Sequence, residues 1–411
     1  MYKRQVKTGK NTPISVHVPD DGINRRPSYI SAANHIEEAE LSPKGERVLF
    51  GARGDIFSAP VEHGPTRNLT HSPGAHDKHP TWSPDGSKVA FISDASGEEE
   101  IYVVAQDGST PAEQITSGGK AMRYEPRWSP DGTRLAFSDK DGRLWVVTLA
   151  DKKLQEVAHS TEGGIFDYTW SPGSGYLAFN MNNTTNISVL YIWSLQDGKL
   201  HQVTNGTFDE SSPEWDPKGD YLYYIAVHEF HPQLSQIEFD FATNRSRGIF
   251  ALALRKDVKN PFPMESDEVT IKKDEPAKSD ASKDKDKDKL AAEAKDAAAK
   301  DANKDKGIDF DGLASRATRV PVEADNYFGL GVKADALIYA TGPAPYYGRE
   351  APTKPALHIF AFKDRKDTKL VDDIGGFVLS RDGSKVLVRQ GPALSLIHIC
   401  STTCRASWRR T

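Results

Sequence analysis

The sequence has almost no cysteine: its 411 residues include two, Cys400 and Cys404, both within the last twelve positions. The rest of the chain therefore folds without disulfides, which fits a reducing compartment. It also lacks any run of about 18 apolar residues, so we predict no transmembrane helix and no membrane partner. The net charge of -5 gives no global reason to expect nucleic acid as a partner.

Sequence motifs for catalysis and cofactor binding are also missing. There is no Gly-x-Ser-x-Gly elbow and no glycine-rich phosphate loop, so we predict no catalytic residue and no cofactor in this chain. His228, Glu229 and His231 carry metal-ligand chemistry. In a strand, however, the two histidines would point to opposite faces, and no third ligand can be placed. We therefore predict no metal site.

What the sequence does contain is an internal repeat. Five segments resemble Trp-Ser-Pro-Asp-Gly, and their prolines at positions 43, 84, 130, 172 and 217 are 41, 46, 42 and 45 residues apart. An alternating strand follows each segment, and in most units a second strand and a short third one come next. Three to four strands per 40-odd residues is the spacing of a β-propeller blade.

The repeated turn has a clear physical logic. Proline presets φ near -65° at the first central position, and glycine accepts the positive φ at which the chain reverses. The tryptophan before the turn supplies a large apolar face, which we expect to pack between neighbouring sheets.

Two further units are less regular. Residues 332–339, followed by 357–362, resemble one more blade, and residues 380–388 resemble another with Arg381 in place of proline. The fold class is therefore all-β, a β-propeller of seven blades, although the residue count alone would also permit eight. We assign blades 1–5 to residues 31–271 and blades 6–7 to residues 308–393.

The remaining segments fall outside the blades. Residues 272–307 are rich in Lys, Asp and Ala and predict a disordered, charged insert. Residues 6–30 are assigned to a domain junction or a closing strand, with the strand pattern at 14–18. Residues 1–5 and 394–411 resemble translated sequencing-adapter text, so we expect them to be artefacts and the natural protein to extend in both directions.

Six residues follow the short third strands, where blade loops reach the rim of the channel. We consider them substrate-channel candidates by location, with ordinary loop packing as the alternative for each. They are Arg123, Tyr124, Phe166, Tyr168, Phe208 and Phe230.

Several segments also resemble tricorn-type peptidases. They are residues 41–47, 52–57, 64–70, 82–86 and 93–98, then residues 239–245 and 249–252 followed by the charged insert. The resemblance spans residues 6–392 and corresponds to the second, seven-bladed propeller of that family. The catalytic residues of the family lie in later domains and match no position here.

The resemblance implies a non-catalytic module that gates peptide substrates for a cytoplasmic serine peptidase. Its implied partners are peptides and the catalytic domains of the same intact chain, and a homo-oligomer remains open. The alternative is a free-standing binding or scaffold propeller similar to TolB, without enzyme activity. A prolyl-oligopeptidase-type propeller is a third reading.

Overall fold

The computed structural model describes residues 2–17, 19, 22, 31–234, 241–263, 305–343, 353–391, 393–399 and 409–410. The chain forms two compact units, Met1–His35 and Ile36–Thr411. The first contains a hairpin of β1 (Tyr2–Arg4) and β2 (Asn11–Pro13) and a 3-10 helix at Ala32–His35. The strand predicted at 14–18 is not present over residues 14–17: Ile14 and Val16 are 41% and 58% exposed, so the alternating pattern buries nothing.

The second unit consists of seven antiparallel four-stranded sheets, which are the blades of a β-propeller. Blade 1 contains β3 (Ile36–Leu41), β4 (Arg47–Ala52), β5 (Asp55–Pro60) and β6 (Arg67–Asn68). Blade 2 contains β7 (Asp77–Trp82), β8 (Lys88–Ser93), β9 (Glu100–Ala105) and β10 (Glu113–Gln114). Blade 3 contains β11 (Arg123–Trp128), β12 (Arg134–Asp139), β13 (Arg143–Thr148) and β14 (Leu154–His159).

Blade 4 contains β15 (Tyr168–Trp170), β16 (Tyr176–Asn182), β17 (Ser188–Ser194) and β18 (Leu200–Gln202). Blade 5 contains β19 (Glu210–Trp215) and β20 (Tyr221–Val227), then β23 (Arg247–Ala253) and β24 (Ala317–Arg319). A side hairpin of β21 (Pro232–Leu234) and β22 (Phe241–Thr243) separates the two halves of blade 5, and a 3-10 helix at Leu313–Arg316 precedes β24.

Blade 6 contains β25 (Tyr327–Val332), β26 (Ala336–Thr341), β27 (Ala356–Ala361) and β28 (Lys366–Asp372). Blade 7 contains β29 (Gly376–Leu379), β30 (Lys385–Gln390), β31 (Ala393–His398) and β32 (Arg409–Arg410). The predicted seven-bladed propeller is confirmed. Among the described residues, no helix has the length and hydrophobicity needed to cross a bilayer.

The repeated turn is held by its own side chains. In blade 2, the Ser83 hydroxyl donates to Asp85 Oδ1 at 2.5 Å, and its oxygen accepts the Lys88 backbone N–H at 2.9 Å. Gly86 has a φ of 74°, as the turn chemistry predicts. These bonds satisfy the backbone where the chain reverses between the first two strands of blade 2.

The tryptophan before the turn packs between neighbouring blades, as the repeat predicts. Trp128 of blade 3 lies in one cluster with Ala90 and Ile92 of blade 2 and with Leu135 of its own blade. Its indole N–H also donates to the backbone oxygen of Thr81 at 3.2 Å. One side chain thus supplies both apolar burial and a directional bond between blades.

The turn of blade 4 lacks the aspartate, and a distant residue replaces it. Gly173 stands where the repeat has aspartate, and Asp305, 134 positions after Ser171, contributes the carboxylate. Asp305 Oδ2 accepts the Ser171 hydroxyl at 2.8 Å and the Gly175 N–H at 2.6 Å, while Oδ1 accepts the Gly173 N–H at 3.0 Å. Residues 305–307 of the predicted disordered insert are described, and its residues 272–304 lie outside the described residues.

The ring closes between blades 7 and 1 without a shared strand. Leu387 and Leu396 of blade 7 pack against Leu41 and Val48 of blade 1, and Lys385 Nζ donates to the Gly45 oxygen at 3.0 Å. Residues 394–398, which we predict from the sequence to be part of an artefact tail, pair with β30 in this structure. Their adapter origin stays a prediction.

Candidate functional site

The first strand of each blade is its inner strand, and those of blades 1, 2, 3, 5, 6 and 7 supply lining residues of the central cavity. These inner strands contact each other between blades 1 and 2, 2 and 3, 4 and 5, 5 and 6, 6 and 7, and 7 and 1. They surround a central cavity of about 820 Å³. It is lined by residues 38–41, 79–84, 125–128 and 328–332, by residues 375–381, and by Pro43 and Glu214.

A β-bulge interrupts several inner strands at the same place. In blades 2, 3 and 5 the bulge includes His79, Glu125 and Ser212, whose φ angles are 51°, 29° and 53°. In blade 6 the corresponding residue is Gly329, with a φ of 65°. A left-handed φ costs a non-glycine residue about 1 kcal/mol or more, so neighbouring groups must hold these bulges in place.

Carboxylates from the preceding blade provide that support. The Glu38 carboxylate accepts the His79 backbone N–H at 2.6 Å, and its other oxygen lies 2.8 Å from His79 Nδ1. Asp167 Oδ2 accepts the Ser212 backbone N–H at 3.0 Å. In blades 2 and 5, an acidic side chain of the preceding blade thus braces the bulged inner strand.

Three further charged side chains come from positions directly before the repeat's tryptophan or its equivalent. Glu40 accepts hydrogen bonds from the Thr81 hydroxyl at 3.1 Å and the Trp82 N–H at 3.2 Å. Arg127 forms an ion pair with Glu125 at 3.0 Å. Glu214 lines the cavity from blade 5.

Burial changes the pKa of two carboxyl groups for which no ion-pair partner lies at bonding distance among the described residues. Burial raises the pKa of Glu40 to about 7, although the Trp82 N–H and the Arg127 charge oppose the shift. Burial likewise raises the pKa of Glu214 to about 7, with Arg127 opposing the shift and Asp167 adding to it. Near neutral pH both groups are therefore partly protonated, and the charge of the cavity depends on pH.

The wall formed by blades 6 and 7 has a different chemistry. At the positions that carry charged or polar groups elsewhere, it has Gly329, Gly331, Gly376 and Val378. A side-chain carbon added at Gly376 would meet no atom within 4 Å. The cavity therefore has a charged wall, made by blades 1, 2, 3 and 5, and a glycine wall, made by blades 6 and 7.

Two of the six predicted channel residues are buried away from the cavity. Arg123 forms an ion pair with Glu100 at 2.7 Å, and the two side chains are only 5% and 2% exposed. Tyr168 is buried, and its hydroxyl donates to the Tyr124 backbone oxygen at 3.1 Å. Both side chains therefore have firm structural partners where the chain enters blades 3 and 4.

The other four predicted residues are aromatic and lie nearer the surface. Tyr124 packs edge-on against Phe166 with ring centroids 5.3 Å apart, and Phe166 is 53% exposed. Phe208 lies against the His228 ring at 3.7 Å, and Phe230 is 76% exposed. None of the six is among the described residues that line the central cavity, and their role as ligand contacts stays a prediction.

The residues with metal-ligand chemistry in the segment 228–231 make other contacts. His228 lies between Phe208 and Phe250, and Glu229 accepts a charge-assisted hydrogen bond from Arg319. Within the ranges that the structure describes, no three His, Cys, Asp or Glu side chains are grouped as metal ligands.

The lining residues that we did not predict have a simple sequence signal. Glu40, Arg127 and Glu214 each stand directly before the tryptophan of the repeat or its equivalent. In a strand, neighbouring side chains point to opposite faces, so the residue before the tryptophan lies on the blade face opposite to it. The structure places Glu40, Arg127 and Glu214 among the residues that line the cavity.

Comparison with known proteins places this ring in a family. The sequence pattern of the family described as "Tricorn protease second beta propeller domain" matches residues 36–399. The chain is 21% identical to the tricorn protease homolog of Saccharolobus solfataricus, covering 94% of this chain and 32% of that protein. It is 24% identical to tricorn protease homolog 1 of Streptomyces coelicolor, covering 87% of this chain and 33% of that protein.

A solved structure of the tricorn protease has the same fold over this region. It superposes with a TM-score of 0.73 at 17% identity and covers 97% of this chain and 36% of that one. The chain thus spans about a third of the length of the relatives it matches. The family pattern, the curated relatives and the fold agree, and the chain belongs to the tricorn protease second beta propeller family.

Proposed function

We propose that this propeller admits extended, unfolded peptides through its central cavity to a tricorn-like serine peptidase and contributes no catalytic residue itself. The observation that carries this proposal is the cavity enclosed by braced inner strands. The relatives are named as proteases, and this chain corresponds to the propeller part of them. The peptidase activity, its peptide substrates and its catalytic domains are part of the proposal.

The size of the cavity supports selection for unfolded chains. A sphere of 820 Å³ has a radius of about 6 Å. A folded domain of about 100 residues has a radius of gyration near 13 Å and cannot enter. A peptide in an extended conformation is narrow. The volume of the cavity falls within the range of about 300 to 1,000 Å³ that is typical of small-molecule sites.

The two walls support contact with a peptide backbone. The glycine wall leaves open space in front of Gly376, where a main chain can approach closely. The charged wall presents carboxyl and guanidinium groups that can hydrogen-bond peptide N–H and C=O groups whatever the side chains are. Contacts of this kind suit a module that accepts many sequences.

The experiment compares one unstructured peptide in two forms. A fluorescein-labelled linear peptide and the same sequence closed into a tight loop by a disulfide are titrated with the 411-residue chain, and fluorescence anisotropy is recorded. We expect the linear form to bind and the closed form to bind at least about tenfold more weakly. Unlabelled linear peptides of unrelated sequence should compete, and mass spectrometry should find the bound peptide uncleaved.

Three results would contradict the proposal. Equal affinity for the linear and closed peptides would mean that the cavity does not select extended chains. No binding of either form would favour the alternative, a scaffold propeller that acts through its outer surface. Serine-dependent cleavage of the peptide by the chain itself would contradict the non-catalytic part.

A further inference from the structure

One turn of the ring differs from the others at the edge of the central cavity. Five blades have proline at the first central position of the turn, and blade 7 has Arg381 there. Arg381 lines the cavity together with Pro43 and Pro84, the corresponding residues of blades 1 and 2. The turns therefore form the rim of one mouth, and a guanidinium group interrupts this proline rim.

The Arg381 side chain crosses this mouth. Its Nη2 donates to the backbone oxygen of Pro130 in blade 3, at 3.4 Å. In a ring of seven blades, blade 3 is three steps from blade 7 on one side and four on the other, so the two lie on opposite sides of the cavity. Any chain that passes the turn-side mouth must displace this contact.

The bond that holds Arg381 across the mouth is weak. A distance of 3.4 Å lies near the limit for an N–H···O hydrogen bond, and the acceptor is neutral. Arg123 and Arg127 are both paired with carboxylates, at 2.7 and 3.0 Å. Among the described residues, Arg381 pairs with no carboxylate, and the bond to Pro130 is the one hydrogen bond that its guanidinium makes to the protein.

Resting on the proposed function, we propose that Arg381 binds a carboxylate of the peptide in the cavity and thereby selects which chains occupy the turn-side mouth. A carboxylate forms two parallel, charge-assisted bonds to a guanidinium at about 2.8 Å, and these are stronger than one long bond to a neutral carbonyl. The exchange requires only rotation of a side chain. The carboxylate comes from the peptide C-terminus or from an Asp or Glu side chain.

A variant that restores the repeat removes the guanidinium without disturbing the turn. Arg381→Pro gives blade 7 the Ser-Pro-Asp-Gly turn of blades 2 and 3, and the Arg381 N–H makes no backbone hydrogen bond that would be lost. We expect its melting temperature to equal or exceed that of the wild type. Arg381→Lys keeps the charge but not the planar fork. Arg389→Ala removes one charge from the same blade outside the cavity lining.

The experiment measures binding of three labelled linear peptides to the 411-residue chain and these variants by anisotropy. The peptides share one sequence without acidic residues and end in a free carboxylate or an amide, and the third is the amide with one internal glutamate. We expect wild type and Arg389→Ala to bind the free carboxylate about tenfold more tightly than the amide. Arg381→Pro should lose this preference, and Arg381→Lys should keep part of it.

The outcomes separate this inference from the proposed function. If the internal glutamate restores tight binding, a side-chain carboxylate serves as well as the C-terminus; if it does not, the site is specific for the C-terminus. Equal binding of all three peptides by the wild type, or an unchanged preference in Arg381→Pro, would overturn the inference and leave peptide entry intact. Failure of every peptide to bind would contradict peptide entry itself, and this inference with it.

Discussion

The charged wall and the glycine wall of the central cavity have the same backbone but opposite chemistry. Both are built from inner strands of one repeat, and bulges occur on both, at Glu125 on the charged wall and at Gly329 on the glycine wall. On the charged wall, the positions before the tryptophan or its equivalent, Leu41 in blade 1, hold Glu40, Arg127 and Glu214. On the glycine wall, the position that corresponds to them in blade 6 holds Gly331.

The charged wall and the glycine wall have different roles within one ring. Side chains of the charged wall are largely bonded to one another, as in the ion pair of Arg127 with Glu125, so that wall has a fixed shape. The glycine wall has Gly329, Gly331 and Gly376 among its lining residues, with open space at Gly376. We infer that the charged wall sets the electrostatic potential of the cavity and that the glycine wall sets its width.

The largest expected effect comes from filling the glycine wall. Gly376→Trp places a bulky ring in open space. The φ angle of Gly376 is not positive, so the strand tolerates a side chain at this position. We expect peptide affinity to fall by about a hundredfold or more, because the cavity loses the room that a main chain needs. Anisotropy with a labelled linear peptide measures the change.

Two controls make that result specific. Gly376→Ala adds a single methyl group and should leave affinity nearly unchanged. Gly74→Trp puts the same ring at another glycine with open space, outside the cavity lining, and should also have no effect on binding. Wild-type affinity in Gly376→Trp, with the melting temperature preserved, would mean that peptides do not pass this wall.

The next effect concerns the pH dependence of the charged wall. Burial raises the pKa of Glu40 and Glu214 from 4.5 to about 7, so the folded protein holds these protons more tightly than the unfolded chain. Stability therefore falls as pH rises from about 4.5 to 7 and levels off above that range. Glu40→Gln and Glu214→Gln remove this penalty and should each gain roughly 1 to 3 kcal/mol at pH about 8 relative to pH about 5.

Urea unfolding of wild type and variants at the two pH values tests this prediction. Glu98→Gln, at an exposed glutamate of blade 2, is the matched control and should show no pH-dependent gain. An equal effect of Glu40→Gln at both pH values would contradict the assignment of a buried, readily protonated carboxyl to the charged wall.

The smallest effect tests why glycine occupies the bulge of blade 6. Gly329 has a φ of 65°, and an added carbon would lie 3.1 Å from the Phe377 ring. Gly329→Ser should therefore cost about 1 to 2 kcal/mol in unfolding free energy. Gly376→Ser, in open space at an ordinary φ, should change stability much less. Equal losses in both variants would show that the left-handed bulge is not the reason for the glycine.

Local chemistry made much of this molecule predictable. The turn around Pro84 and Asp85 and its copies predicted the blades and their number, because each residue of that turn has a fixed conformational role. The tryptophan packing followed for the same reason, as Trp128 shows. The charged wall was not predicted, because the position before the tryptophan or its equivalent is charged in blades 1, 3 and 5 but is threonine in blades 2 and 4.

Contacts between distant parts of the chain were beyond sequence reasoning. Asp305 replaces the missing turn carboxylate beside Ser171, which lies 134 positions before it in the sequence. No local sequence pattern predicts this contact. Arg381 reaches Pro130 over a separation of 251 residues because the ring brings blades 7 and 3 face to face across the cavity. Such contacts depend on the closure of the whole ring, whereas periodicity describes one blade at a time.

The most direct test of the central claim identifies where a peptide lies. A linear peptide with a photoreactive benzophenone in its middle is bound to the 411-residue chain and irradiated, and the crosslinked residues are located by mass spectrometry. Our account predicts crosslinks in the two walls, within residues 38–41, 125–128, 328–332 and 375–381. Crosslinks confined to the exposed rings of Phe166 and Phe230, with none in the inner strands, would contradict it.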